Sequence, residues 1–132
     1  MIKFEEITGK IIEAFYEVYN ELGGGFLESV YEKALHIVLT GYGLNAERQK
    51  AISVYFRGHV IGEFKADLVI NESVIVEIKA VRNLVGAHEA QLINYLKATT
   101  VEVGLLLNFG GKAEFKRFAY DNNRKNIRGN PR

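Results

Sequence analysis

The spacing of the apolar residues changes from a helical period to a strand period near residue 50, and this change limits the possible folds most strongly. Across residues 5–22 the apolar side chains recur every three or four positions, which predicts a helix that ends at the glycine run 23–25. A second stripe of this kind predicts a helix over residues 27–40, which the sequence Gly41-Tyr42-Gly43 would end. The chain is therefore expected to begin with two amphipathic helices that bury one face each.

The stretches that follow are rich in β-branched and aromatic residues, which favour strands. Strands are predicted at residues 51–56, 60–70 and 74–79. A helix is predicted next at 87–98, and residues 101–108 predict a buried strand because they leave no polar face. An edge strand at 115–120 ends the series. The predicted fold class is therefore α/β (α+β), a mixed β-sheet flanked by helices.

Length and composition predict one soluble domain. The chain has 132 residues, of which 48% are hydrophobic, so residues 1–132 suit a single domain with its own core. It contains no cysteine, which excludes zinc ribbons and thiol catalysis. No apolar run approaches the length of a membrane span, so we expect no membrane partner and a cytoplasmic location.

The charge is nearly balanced overall but uneven along the chain. The formal net charge is +1, which by itself does not indicate nucleic-acid binding. Residues 112–132, however, contain seven basic and two acidic side chains. We expect residues 121–132 to form a basic, flexible tail, which either contacts phosphates or is simply a solvated terminus.

The hairpin of the second and third predicted strands carries the polar residues that suggest chemistry. A three-residue loop at 71–73 would place Asp67 directly opposite Glu77, with Cβ atoms about 4.5–5.5 Å apart. Lys79 lies two residues beyond Glu77 and would share its face of the sheet. The opposite face of the hairpin would be apolar, so the two acids would lie in otherwise apolar surroundings.

Two opposed carboxylates repel each other unless something compensates their charge. A divalent cation does this, and Mg²⁺ is commonly held by one or two carboxylates together with phosphate oxygens and waters. The Lys79 ammonium could then orient a water or stabilise charge on phosphorus. The alternative is an ordinary hairpin in which Lys79 forms an ion pair with Glu77 or Asp67, and the spacing alone does not exclude it.

These residues also resemble a known family. The pair Ala66-Asp67, followed by Glu77-Ile78-Lys79, resembles the PD-(D/E)xK nuclease superfamily, although Ala66 stands where that superfamily usually has proline. Three further blocks resemble the GxxExxY proteins, a bacterial and archaeal branch of the superfamily: GFLESVY at 25–31, HEAQLINYLK at 88–97 and VGLLLNFG at 103–110. Together the blocks extend the resemblance from about residue 7 to residue 117.

The resemblance implies a restriction-endonuclease-like αβββαβ core with an extra N-terminal helix, and the activity of a metal-dependent nuclease. It implies that Asp67, Glu77 and the Ile78 carbonyl hold Mg²⁺ or Mn²⁺, and that Lys79 is the catalytic lysine. It also implies an accessory acid, Glu28, which would ligate a metal or order its waters. Read alone, Glu28 is equally an acid that favours the positive end of a helix dipole.

The predicted third helix contributes Gln91 to the catalytic set that the resemblance implies. Tyr31 and Tyr95 are expected as accessory residues beside Glu28 and Gln91 respectively. Core packing explains Tyr31 as well, and an exposed polar stripe explains Gln91 and Tyr95 equally well.

The resemblance implies nucleic acid, most naturally DNA, as the substrate. The alternative is a module that keeps the nuclease fold and binds nucleic acid without effective turnover, because fold does not fix function. Resolvase-like relatives in the superfamily suggest a homodimer, which would enlarge the surface available to a duplex.

Overall fold

The computed structural model describes residues 4–125, and its elements follow the predicted order. The helices are α1 (Glu5–Leu22), α2 (Glu28–Gly41) and α3 (Gly86–Ala98). The strands are β1 (Ala46–Phe56), β2 (His59–Ile70), β3 (Val74–Lys79), β4 (Val103–Asn108) and β5 (Glu114–Ala119). A 3-10 turn, Asn122–Arg124, follows β5. The basic tail is expected at residues 121–132, and residues 126–132 of it lie outside the described part.

Two strand boundaries differ from the prediction by more than one residue. β1 begins at Ala46 rather than at residue 51, because residues 46–50 pair with β2 although they are mostly polar. β4 begins at Val103 rather than at residue 101. Both errors arise because strand ends are fixed by pairing with neighbouring strands, which local composition does not report.

The five strands form one mixed sheet in the order β1-β2-β3-β4-β5. β1 with β2, β2 with β3, and β4 with β5 are antiparallel, whereas β3 and β4 are parallel. A parallel pair needs a crossover connection, and α3 provides it. The predicted fold class, a mixed sheet flanked by helices with a restriction-endonuclease-like arrangement, is confirmed.

The helices cover opposite faces of the sheet. α1 and α2 pack on one face through a large apolar cluster, which includes Phe15, Leu35, Val76, Ile78 and Leu105. α3 covers the other face through a smaller cluster around Ile75, Leu92 and Leu106. Strand alternation therefore directs the even-numbered residues of β3 toward α1 and α2 and the odd-numbered residues toward α3. No helix within residues 4–125 is both long enough and apolar enough to cross a membrane.

The loop between β2 and β3 sets the register of the hairpin. Ile70 pairs with Val74, so the loop has the three residues 71–73 that the sequence predicts. Asn71 and Glu72 adopt left-handed backbone conformations, with φ values of 50° and 55°. The Asn71 side chain accepts a hydrogen bond from the Asn45 backbone N–H at 2.8 Å, which ties the loop to the start of β1.

Candidate active site

The ladder between β2 and β3 stops at Leu68 and Val76, one residue before the two acids would pair. Beyond that point, hydrogen bonds to the side-chain carboxylates take the place of hydrogen bonds between backbone groups. The Ile78 N–H donates to Asp67 Oδ2 at 2.8 Å, and the Asp67 N–H donates to Glu77 Oε1 at 3.4 Å. The structure therefore brings the carboxylates of Asp67 and Glu77 together in an opening between the strands.

Glu77 is an acid in an unfavourable place for a negative charge. Its side chain is only 4% exposed. Burial, and then the negative charge of Asp67, raise the pKa of Glu77 to about 9, and the nearby charge of Lys79 opposes this shift. The metal-free site therefore favours a protonated Glu77 at neutral pH, and a bound cation would favour its ionised form.

Ile78 and Lys79 end β3 beside the acid pair. Lys79 is half-buried and, by strand alternation, lies on the same side of the sheet as Glu77. The Ile78 N–H points toward β2, where it meets Asp67. In an antiparallel pair the N–H and the carbonyl of one residue point to the same neighbour, so the Ile78 carbonyl also faces β2.

Glu28 reaches the end of β3 from the other face of the sheet. It is the first residue of α2, it is exposed, and its Oε2 accepts a hydrogen bond from the Ala80 N–H at 3.3 Å. Glu28 therefore contacts the backbone of the residue that directly follows Lys79. Its position at the start of a helix also suits its charge, as the sequence alone suggests.

Tyr31 lies in the core and holds the loop that precedes Glu28. Its ring is fully buried and stacks on Phe109 with centroids 4.2 Å apart. Its hydroxyl donates to the Gly23 carbonyl at 2.7 Å and accepts from the Phe26 N–H at 3.2 Å. Tyr31 is thus bonded to the loop between α1 and α2, and its hydroxyl is engaged by backbone groups of that loop.

Gln91 and Tyr95 lie on α3, above the face of the sheet that carries the acids. Gln91 Nε2 donates to the Tyr95 hydroxyl at 2.7 Å. Burial, together with the negative charges of Glu77 and Asp67, raises the pKa of Tyr95, and the hydrogen bond from Gln91 opposes this. The Tyr95 hydroxyl is therefore close enough to interact electrostatically with both acids, and Tyr95 is buried, whereas Gln91 is exposed as a polar stripe would be.

A groove of about 900 Å³ runs between α3 and the β1–β2 hairpin, and Gln91 and Tyr95 form part of its wall. The groove therefore adjoins the acid pair through Tyr95. His88, Asn94 and Lys97 also line it, and no acidic side chain is among its lining residues. Lys97 is the one formally charged side chain in this lining, and most of the other lining residues are apolar or aromatic.

The sequence did not predict three polar residues that are linked to Asp67 by hydrogen bonds, namely Gln49, Glu32 and Arg48. Gln49 of β1 donates from Nε2 to Glu32 Oε1 at 2.5 Å and to Asp67 Oδ1 at 3.3 Å. Glu32 of α2 is 5% exposed and is paired with Arg48 at 3.0 Å. Glu32 directly follows the matched Tyr31, but no local pattern shows that α2 and β1 meet there.

The segment that follows Lys79 is held by a buried side chain from β4. Asn108 donates to the Val81 carbonyl at 2.9 Å and accepts from the Val81 N–H at 3.0 Å. Gly110 passes so close that a Cβ there would lie 2.3 Å from the Val81 carbonyl oxygen. Only glycine fits this approach, which explains the Asn-Phe-Gly sequence at the end of β4.

The donor set fits a hard divalent cation. Within residues 4–125 no group of three or more His, Cys, Asp or Glu side chains is placed to hold a metal ion. Asp67 and Glu77 offer carboxylate oxygens side by side, and Mg²⁺ commonly needs only one or two carboxylates because waters and phosphate complete its shell. Glu28 lies at the rim rather than in a closed cluster with the two acids.

Comparison with known proteins agrees with this architecture. The crystal structure of SSO0001 is similar, with a TM-score of 0.55 and 22% sequence identity, covering 90% of this chain and 60% of that one. At this identity the likeness shows the fold alone. A search among curated proteins found no match. A model of the PD-(D/E)XK nuclease superfamily matches residues 5–118, which include both acids and Lys79, and the chain therefore belongs to that superfamily.

Proposed function

We propose that this chain is a metal-dependent nuclease of the GxxExxY branch, which hydrolyses phosphodiester bonds in nucleic acid, with DNA as the preferred candidate substrate. The observation that carries the proposal is the meeting of the Asp67 and Glu77 carboxylates where β2 and β3 separate. A buried acid whose pKa is raised by a second acid is typical of a functional site.

Asp67, Glu77 and the Ile78 carbonyl would hold Mg²⁺ or Mn²⁺, and Glu28 would ligate a metal or order its waters. The bound ion supplies a water of lowered pKa and neutralises negative charge at phosphorus. The Lys79 ammonium orients the attacking water or a phosphate oxygen, since it lies beside Glu77. The water oxygen bonds to phosphorus and releases a proton, the bond from phosphorus to the leaving oxygen breaks, and that oxygen takes up one proton, so the proton count is unchanged.

Gln91 and Tyr95 would form the wall between the acids and the groove. The hydrogen bond from Gln91 fixes the Tyr95 hydroxyl, which can then donate to a phosphate oxygen. The groove would hold the nucleic acid next to the cleaved bond, because Lys97 lines it and acidic side chains do not.

Cleavage assays with single- and double-stranded DNA and RNA, in Mn²⁺ and in chelator, test this function. Asp67→Asn and Lys79→Ala should abolish metal-dependent cleavage while the protein stays folded. Glu63→Gln and Lys65→Ala are matched controls, because both residues are exposed on β2 outside the acid pair. Full activity of Asp67→Asn or Lys79→Ala would contradict the proposal.

Calorimetric titration separates the nuclease from the alternative, a nuclease-fold module that binds nucleic acid without turnover. Binding of Mn²⁺ by the wild type, lost in Asp67→Asn, supports the nuclease. Retained nucleic-acid affinity without any metal binding would favour the module instead.

The proposal includes a homodimer, because two copies would offer a duplex more surface than one 132-residue chain. Sedimentation velocity, with and without a DNA duplex, tests this part separately. A monomer in both conditions would remove the dimer and leave the proposed chemistry intact.

A further inference from the structure

Gln49 has an unusual backbone for a residue in the middle of a strand. Its φ is 53°, in the left-handed region that side chains other than glycine rarely adopt. Among residues 4–125 it is the only non-glycine residue with this conformation inside a strand, since the others lie at the start of α1 or in turns. Such strain persists where the surroundings enforce it, and it is common at functional sites.

The pairing of β1 with β2 puts Gln49 level with Asp67. Arg48 pairs with Leu68, and Lys50 pairs with Ala66, so Gln49 lies directly opposite Asp67. Regular alternation would direct the Gln49 side chain to the face that carries the acids. Glu32, however, comes from α2, which packs on the other face.

The Gln49 amide joins these two acids. Its nitrogen donates to Glu32 Oε1 at 2.5 Å and to Asp67 Oδ1 at 3.3 Å, which uses both of its hydrogens. Glu32 is itself fixed, because it is buried and accepts from Arg48 Nε at 3.0 Å. The amide therefore connects a rigid acid of α2 to an acid of the active site.

Asp67 is then held at both carboxylate oxygens. Oδ1 accepts from Gln49, and Oδ2 accepts from the Ile78 N–H at 2.8 Å. Each oxygen retains a further lone pair for a cation. Partners of this kind orient metal ligands, and their loss typically weakens metal binding about 10–100-fold.

We propose that Gln49, anchored by Glu32 and Arg48, is a positioning residue that fixes the Asp67 carboxylate and so prepares it for a divalent cation. The metal-binding part of this inference rests on the proposed nuclease function, whereas the fixing of Asp67 does not. The strained backbone of Gln49 is the means by which one side chain of β1 reaches both acids.

The test uses two variants of the full chain. Gln49→Gly accepts the left-handed backbone without strain but removes the amide. Gln49→Asn also tolerates this backbone and keeps an amide, but it is one methylene too short to reach both acids. Ser53→Gly, further along β1, is the control for the loss of a strand side chain.

Hydrogen exchange of the Ile78 amide in metal-free protein reports whether Asp67 stays in place. We expect exchange at Ile78 to be about tenfold faster or more in both Gln49 variants, with little change at other β3 amides. Melting temperatures close to the wild-type value would show that the fold is intact. The Ser53→Gly control should leave the exchange of Ile78 unchanged.

Calorimetric titration with Mn²⁺ provides the second measurement. We expect the Kd for Mn²⁺ to rise about 10–100-fold in both Gln49 variants. Wild-type exchange at Ile78 in both variants would overturn the inference, whatever the metal affinity. Faster exchange in proteins that bind no Mn²⁺, with the wild type included, would support the positioning of Asp67 and refute the proposed nuclease.

Discussion

The two faces of the sheet differ in what they bury. The face under α1 and α2 is mainly apolar, and the even-numbered residues of β3 contribute Val76 and Ile78 to it. The face under α3 has a smaller apolar cluster, and there β3 buries Glu77 with 4% exposure. Alternate side chains of β3 thus lie in two different environments, an apolar core on one face and an acid pair on the other.

In the proposed function, this difference separates the residues that stabilise the fold from those that carry the chemistry. Burial and packing on the apolar face stabilise the folded state, in rough proportion to the apolar area removed from water. The acid face lowers the stability of the folded state, since a buried carboxylate beside another carboxylate is unfavourable without a cation. Measurements on matched residues of the two faces test this contrast.

The largest expected effect is on the apolar face. Leu105→Ala should lower the free energy of unfolding by about 2–5 kcal/mol, because it leaves a cavity in a fully buried cluster. Urea denaturation measures the change. A loss below about 1 kcal/mol would show that this face is not the main source of stability.

A cation should stabilise the acid face. Saturating Mn²⁺, at about 100 times its Kd, should raise the free energy of unfolding by about 2.7 kcal/mol. Thermal denaturation with and without Mn²⁺ measures this effect. Glu77→Gln should lose most of the gain and the control Glu63→Gln should keep it; equal gains in both would place the cation elsewhere.

Replacing the buried carboxyl group by an amide should stabilise the metal-free protein. Glu77→Gln should be more stable than the wild type at pH 8 by on the order of 1–2 kcal/mol, because the wild type must take up a proton at Glu77 on folding and the amide need not. Denaturation in chelator measures the difference. A variant less stable than the wild type at pH 8 would contradict the unfavourable burial of this acid.

The pH dependence has a definite sign. The folded-state pKa of Glu77, about 9, lies above that of an exposed glutamate, so the folded state binds the proton more tightly. The contribution of Glu77 to the free energy of unfolding is therefore fully present below about pH 4.5, and it is lost as the pH rises toward about 9. The advantage of Glu77→Gln should accordingly shrink from pH 8 to pH 5, while the affinity of the wild type for Mn²⁺ weakens.

The smallest expected effect concerns the loop that leads to Glu28. Tyr31→Phe should lower the free energy of unfolding by about 1 kcal/mol, because it removes two hydrogen bonds and keeps the buried ring. Urea denaturation and cleavage rates measure its two consequences. If the rate falls much more than the stability, Tyr31 acts on the chemistry beyond holding the loop.

Much of the fold could be predicted because local patterns control it. The period of apolar residues placed α1 at residues 5–22 and β3 at 74–79, which are the observed bounds. The loop at 71–73 set the register, from which the facing of Asp67 and Glu77 followed. The polar start of β1 was missed, since its strand conformation depends on pairing with β2.

The candidate site was only partly predictable. The acids and Lys79 are neighbours through one hairpin, so counting residues is enough to bring them together. Gln49 and Glu32 are far from this hairpin in the chain, and only the packing of α2 and β1 against it brings their side chains to Asp67.

By itself, the sequence determined the order of elements, the mixed sheet and the shared face of the two acids, because residue periodicity and loop length act locally. Only the tertiary structure shows that β2 and β3 separate at Asp67, that Glu77 is buried, and that Gln49 connects Glu32 of α2 to the Asp67 carboxylate. The reason is that burial and long-range hydrogen bonds depend on which elements meet, and no single segment contains that information.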